Sequence, residues 1–122
     1  RRNKCRVLIP SKSNDKNSEM DDRLAKSNYF AIVDIDNKRK YSFIENPFKE
    51  KNELAGLDFK EFLLKYGVTD IICKNVGEIT FGLMLAYGIY CWHTDVDKLE
   101  KITNKFLEGN LERLKEPTRQ SK

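Results

Sequence analysis

Val68–Gly77, VTDIICKNVG, is an apolar run that stops at a thiol, a lysine and an asparagine and then passes a glycine into a helical pattern. Val68, Ile71 and Ile72 read as a strand buried on both faces, as strands of parallel sheets are once helices cover them. Asn75 with Glu78 three residues on matches a helix-starting capping box. A site is expected at the carboxyl end of this strand. Ligands of open α/β sheets settle there, and the N–H groups of a helix start favour negative charge.

Working upstream, Asp58 with Glu61 is a second capping pair, ahead of a helix with the stripe Phe59, Phe62, Leu63 and Tyr66 and a glycine stop at Gly67. Pro47 to Glu53 is a charged connection. Tyr29–Asn46 gives two β patterns, YFAIVDID and RKYSFIEN, around a turn at Asn37-Lys38, where Asn37 suits a left-handed conformation. Asp34 and Asp36 share a strand face and read as solvated strand-end acids. Lys4–Pro10, KCRVLIP, is a first strand closed by Pro10, with Cys5 packed in the sheet. Between them, residues 11–28 are polar and show no periodic apolar face, so they are expected to form a loop without apolar anchors and with fast amide exchange.

Downstream, Ile79, Leu83 and Ala86 supply a helical stripe ending at Gly88, and Ile89–Trp92 is a short strand. Val96, Leu99, Ile102 and Phe106 mark a last helix, capped by Thr94 or Asp95 and stopped by Gly109. Residues 110–122 read as a helical extension fraying into a tail. The element order is βββαβαβα in one domain spanning 1–122, with its core in 4–109.

Composition narrows the partners. The net charge of +4 sets 23 basic against 19 acidic side chains, a balance too mild to imply nucleic acid. Three widely spaced cysteines without a CxxC argue against a disulfide framework and for a cytoplasmic, reducing compartment. No apolar stretch approaches membrane-spanning length, and the basic start at Arg1 lacks the apolar core of a secretion signal.

YFAIVDIDN, the Glu45-Asn46-Pro47 corner, the glycine-closed helix into GVTDII, the turn at Gly77, the GIYCW strand and the ending FLEGNL together resemble the dinitrogenase iron-molybdenum cofactor biosynthesis family. The resemblance covers residues 4–111. It implies a ribonuclease-H-like three-layer α/β fold with a mixed five-stranded sheet, in which the strands at 4–10, 68–73 and 89–92 run parallel. It further implies a cytoplasmic carrier of an iron-molybdenum or iron-sulfur cluster that exchanges it with a donor or acceptor protein in metal-cluster biosynthesis. The alternative is a nonenzymatic interaction module that keeps the fold without the cofactor. Where the family carries His-Phe-Gly-Arg-Ala, this chain has Arg23, Leu24, Ala25, Lys26 and Ser27, and its Gly-Gly-Ile-Gly turn is Lys74, Asn75, Val76 and Gly77. Lys26 keeps the arginine's charge without its planar fork.

The chain has soft ligands of its own. Cys73 ends the organising strand, and Cys91 and His93, the only histidine, end the next. Neighbouring strand ends lie roughly 5 Å apart, and thiolate and imidazole are ligands of iron-sulfur and zinc sites. Cys73, His93 and Cys91 are therefore the candidate metal ligands, and Arg23, Lys26, Lys74, Asn75 and Gly77 the candidate residues for an anionic cofactor. Cys73, beside Lys74 and a helix start, is expected to be the most reactive thiol and Cys5 the least. Catalysis is not expected. The first strand has no acid for a two-metal nuclease, and neither a catalytic triad nor a GxxxxGK loop is present.

Overall fold

The computed structural model describes residues 4–51, 54 and 56–118. The basic start at Arg1, part of the connection ahead of the first helix and the tail beyond Thr118 lie outside the described residues. The elements are β1 (Arg6–Ser11), β2 (Tyr29–Asp34), β3 (Lys40–Glu45), α1 (Gly56–Lys65), β4 (Asp70–Cys73), α2 (Glu78–Ala86), β5 (Tyr90–His93), α3 (Leu99–Leu107) and β6 (Glu112–Arg113). They form one mixed sheet of order β3-β2-β1-β4-β5-β6. The three strands β1, β4 and β5 are parallel, as expected, and the hairpin β2-β3 lies antiparallel on one side.

Six strands replace the five anticipated, because residues 110–118 are not a helical extension. Gly109 turns with φ +73, a conformation open to glycine at little cost. Beyond it, Leu111 packs against one face of the sheet and Leu114 against the other. A spacing of three puts side chains on opposite faces of an extended chain, so this pair anchors β6 along β5, where Trp92 pairs with Arg113 and His93 with Glu112.

Each face of the sheet has its own core. On one, Leu8, Phe30, Ile71, Cys73 and Cys91 meet Phe59, Phe62 and Leu63 of α1 and Phe81 and Met84 of α2. On the other, Val7, Ile9, Val33 and Ile72 meet Leu99 and Ile102 of α3, with Val96 and Phe106 at the margin. The stripes read for α1 and α3 hold. That of α2 does not: Ile79 and Ala86 are exposed and Leu83 is only half-buried, while Thr80, Phe81 and Met84 point inward. A helix apolar nearly all round carries no periodic signal to say which side is covered.

The caps also differ. Asn75 caps nothing, and α2 starts at Gly77 without a side-chain cap. The start of α3 is Lys98, while Thr94 receives the Val96 N–H at 3.2 Å in a local turn of its own. In α1, Asp58 already lies in the first turn and pairs with Lys51 at 3.3 Å. Pro10 does not end its strand, since β1 runs on to Ser11. Its carbonyl accepts the Asp21 N–H at 2.9 Å, and its missing N–H faces the same way, past the last β4 pairing at Leu8.

Residues 11–28 are not the unanchored loop expected. Met20 is 0% and Leu24 3% exposed, each in a different core. Ser11 bridges Met20 and Glu19 bridges Lys98, so the segment is laced between β1 and the start of α3. The connection after β3 is likewise more than a charged linker: Phe48 packs edge-on against Phe59 and Phe62. Asn46 holds that corner, its amide donating to the Ala25 and Ser27 carbonyls at 2.9 Å and its oxygen accepting the Phe48 N–H at 2.8 Å. Asp34 is half-buried and paired with Arg6 at 3.5 Å, while Asp36, beyond the strand, is exposed and accepts the Cys5 N–H at 2.7 Å.

Candidate functional site

Parallel register places the soft ligands. Ile71 pairs with Cys91 and Cys73 with His93, so the three side chains lie on one face, that of α1 and α2. Trp92 turns to the other face and stacks edge-on with Phe106 at 5.9 Å. The alternation survives to the strand end because β6 pairs there and holds β5 extended. Register alone does not expose the donors. Cys73 is 0% and Cys91 3% exposed, inside the core. His93 is reachable, its side chain 24% exposed, with Nδ1 3.6 Å from Glu112 and Nε2 3.9 Å from Asp95. Among the described residues no group of three or more His, Cys, Asp or Glu side chains could hold a metal ion.

Next to Cys73, Lys74 reaches two carboxylates, Asp22 at 3.1 Å and Asp97 at 3.5 Å. Its pKa is raised above the ordinary lysine value, chiefly by the hydrogen bond to Asp22 and by the charges of both acids, with desolvation opposing. Asn75 donates to the Asp22 carbonyl at 3.4 Å. These contacts tie the 11–28 segment, the β4–α2 turn and the approach to α3 together. Asp22 and Asp97 carried no signal in the sequence, since both lie in irregular stretches.

The other candidates are only partly assembled. Arg23 is exposed and lies 3.5 Å from Asp21. Lys26 donates to the Lys49 carbonyl at 3.1 Å, toward the Asn46 corner. Gly77 has φ −83 and ψ 171, extended backbone that any residue adopts. In front of it, the Val76 N–H donates to the Thr118 hydroxyl at 2.7 Å, and that hydroxyl donates back to the Val76 carbonyl at 3.1 Å. The Val76 N–H is thus engaged by Thr118. Arg23 and Lys74 face Asp21, Asp22 and Asp97, so the turn carries no excess of positive charge, and Lys26 stands apart beside Lys49.

The thiol order also changes. Cys5, just ahead of β1, is partly exposed with its sulfur 3.7 Å from Asp70, while Cys73 is sealed. No disulfide joins the three. No described helix is long and apolar enough to cross a membrane.

Comparison with known proteins places this geometry. The family described as dinitrogenase iron-molybdenum cofactor matches residues 5–109. Among solved structures, a NifB-like protein of the DUF35 family from Thermotoga is 30% identical with a TM-score of 0.79, the match covering 94% of this chain and 97% of that one. The apo orange protein from Desulfovibrio gigas shares the fold at 19% identity and TM-score 0.81, over 93% and 96% of the two chains. A dinitrogenase-like protein from Methanocaldococcus jannaschii does so at 24% identity and TM-score 0.68, over 93% and 98%. No curated protein matches.

Proposed function

The chain belongs to the dinitrogenase iron-molybdenum cofactor family, and from that premise we propose that it is a nonenzymatic accessory protein that carries an iron-molybdenum or iron-sulfur type cluster as cargo between a donor and an acceptor protein. The observation that carries the reading is the β4–β5 register. It sets His93 beside Cys73 at the carboxyl ends of parallel strands, where ligands of α/β sheets settle. The antiparallel hairpin beside three parallel strands, with helices on both faces, supports the ribonuclease-H-like designation.

The residues fit a cargo held through one ligand. His93 presents an imidazole whose nitrogens face carboxylates only at 3.6 and 3.9 Å, beyond hydrogen-bonding distance, so either can turn to a metal. Cys73 and Cys91 lie behind it as second donors only if the strand ends part. Of Arg23, Lys26, Lys74, Asn75 and Gly77, the charges of Arg23 and Lys74 are already compensated by the acids around them, and Lys26 is turned toward Lys49. A single reachable ligand suits a protein that must give its cargo up.

The sealing of Cys73 and the double carboxylate clamp on Lys74 favour a second reading, an interaction module without cargo. Anaerobic titration with an iron-molybdenum or iron-sulfur cluster separates the two. Carriage predicts a spectral change and co-elution on gel filtration, both lost in His93→Ala. No spectral change and no co-elution with the wild-type chain would leave the interaction module.

A further inference from the structure

The turn between β2 and β3 is built from the wrong residues for its shape. The sequence puts its centre at Asn37-Lys38, but two turns follow one another here: the Asn37 N–H bonds back to the Asp34 carbonyl at 3.3 Å and the Lys40 N–H to the Asn37 carbonyl at 3.1 Å, which puts Lys38-Arg39 at the centre of the second. Both have positive φ, 55 and 59, and two such residues closed by that bond form a type I′ turn, the second of two turns in the five-residue connection between Asp34 and Lys40. Asn-Gly or Asp-Gly is the usual occupant, because the Cβ of an L residue crowds its own backbone at positive φ, and glycine has none. Among the described residues no other non-glycine residue has a positive φ. Strained conformations persist where the surroundings use them, and they cluster at ligand clamps.

Neither side chain is used by the fold. Lys38 and Arg39 have no hydrogen bond or ion pair among the described residues, unlike Arg6, Lys12, Arg23, Lys51, Lys74 and Lys98, which all reach carboxylates. They line a surface cleft of about 390 Å³ together with Lys16, Tyr41, Glu100 and Asn104. Lys16 also lacks an ion pair among the described residues. Three unpaired cations from two separate parts of the chain thus converge against one carboxylate, on the α3 side of the sheet. Tyr41 joins hydroxyls with Thr103 at 2.8 Å, and since the Thr103 hydroxyl already donates to the Leu99 carbonyl at 2.9 Å, Tyr41 is the donor and its oxygen is left as an acceptor. Asn104 adds an exposed amide with both donor and acceptor groups.

We propose that this cleft docks an acidic segment of a partner protein, with Lys16, Lys38 and Arg39 pairing its carboxylates and Asn104 and Tyr41 available to its backbone. Lys16 and Lys38 are exposed and Arg39 is half-buried, and this open setting selects such an occupant over a small oxyanion. A surface pair contributes little by itself and is screened by salt, so only a ligand that meets several cations at once is held. The strained turn keeps two of them side by side at the rim. The proposal is independent of the cluster-carrier reading and of the β4–β5 strand ends.

The test uses the full chain and a fluorescein-labelled decaglutamate peptide, read by fluorescence anisotropy at low salt. The wild-type chain should bind it, and binding should weaken as salt rises. Lys38→Asn with Arg39→Gly, which restores the usual turn residues, should weaken binding about tenfold or more while raising Tm, so that the loss is not a loss of fold. Lys16→Gln, on a different element, should weaken binding with Tm unchanged, and Lys60→Gln on the opposite face of the sheet should do nothing. Equal binding by all four proteins would overturn the proposal. So would displacement of the peptide by inorganic phosphate at matched charge, which would mark a small-anion site. Equally tight binding of a single-stranded oligonucleotide, lost in the same variants, would also overturn it, because the cleft would then be an unselective polyanion surface.

Discussion

Met20→Ala tests whether residues 11–28 belong to the core. Met20 is fully buried against Val7, Ile9, Val33, Leu99 and Ile102, and its N–H donates to the Asp97 carbonyl at 2.7 Å. Truncation to alanine removes three heavy atoms. At about 0.8 kcal/mol per buried methylene-sized group, the transfer loss is about 2 kcal/mol. The vacated space lies between a sheet and a helix that cannot close on it, which takes the total to about 3 kcal/mol, within the range for buried methionine. For a domain of this size that lowers Tm by roughly 12 °C, with little change in the slope of denaturant unfolding. Met20→Leu, which conserves volume, should cost less than about 1.5 kcal/mol. Hydrogen exchange gives a second readout. The Met20 and Leu99 amides, the latter bonded to the Ser18 carbonyl at 3.1 Å, should be protected in the wild type and faster in Met20→Ala, while those of the exposed tip at Asn14 and Lys16 exchange fast in both. A destabilisation below about 0.5 kcal/mol, with Met20 exchanging as fast as Asn14, would refute the anchoring argument.

Three further outcomes follow from contacts elsewhere. Asp70, fully buried, accepts the Trp92 indole N–H at 2.8 Å and the Thr69 hydroxyl at 2.6 Å. Asp70→Asn turns an NH2 toward one of these donors and should cost about 1.5–3 kcal/mol in urea unfolding, and a change within 0.5 kcal/mol would show that neither bond matters. Lys74 has a folded pKa above its unfolded value, so its charge-dependent stabilisation is complete below the ordinary lysine value of 10.5 and is lost as pH rises through the folded pKa. The stability gap between wild type and Lys74→Met should therefore be flat from neutral to mildly alkaline pH and shrink only above that value, and a gap that closes near neutrality would point to another group. With a mild alkylating agent, mass spectrometry should find Cys5 labelled before the buried Cys91 and Cys73. Cys73 labelled first in the folded chain would mean that the strand end opens readily.

Much of the fold was legible because its signals are local. The stripes Phe59-Phe62-Leu63 and Leu99-Ile102 each name one buried face, and Ile71-Ile72 names a strand covered on both sides. The site was half legible. That Cys73 and His93 meet at the carboxyl ends of β4 and β5, with Cys91 two residues behind on the same face, follows from the strand pattern, but their depth does not. A thiol at a strand end reads the same whether the end is open or roofed by helices.

What the amino-acid sequence determined by itself was most of the elements with a periodic apolar face and the family resemblance, which in turn implied the parallel run of the central strands. Tertiary structure alone decided which side of the evenly apolar α2 is covered, that Met20 pins a polar segment, that Leu111 and Leu114 lay β6 beside β5, and that Thr118 engages the Val76 N–H. Each of these joins stretches far apart along the chain, and such contacts leave no period in the residues that make them. Even the reversal after β2 is longer than its local signal, because the β2–β3 register pairs Asp34 with Lys40 and leaves five residues between them, with Asn37 shared by two turns and the positive-φ pair at Lys38-Arg39 in the second.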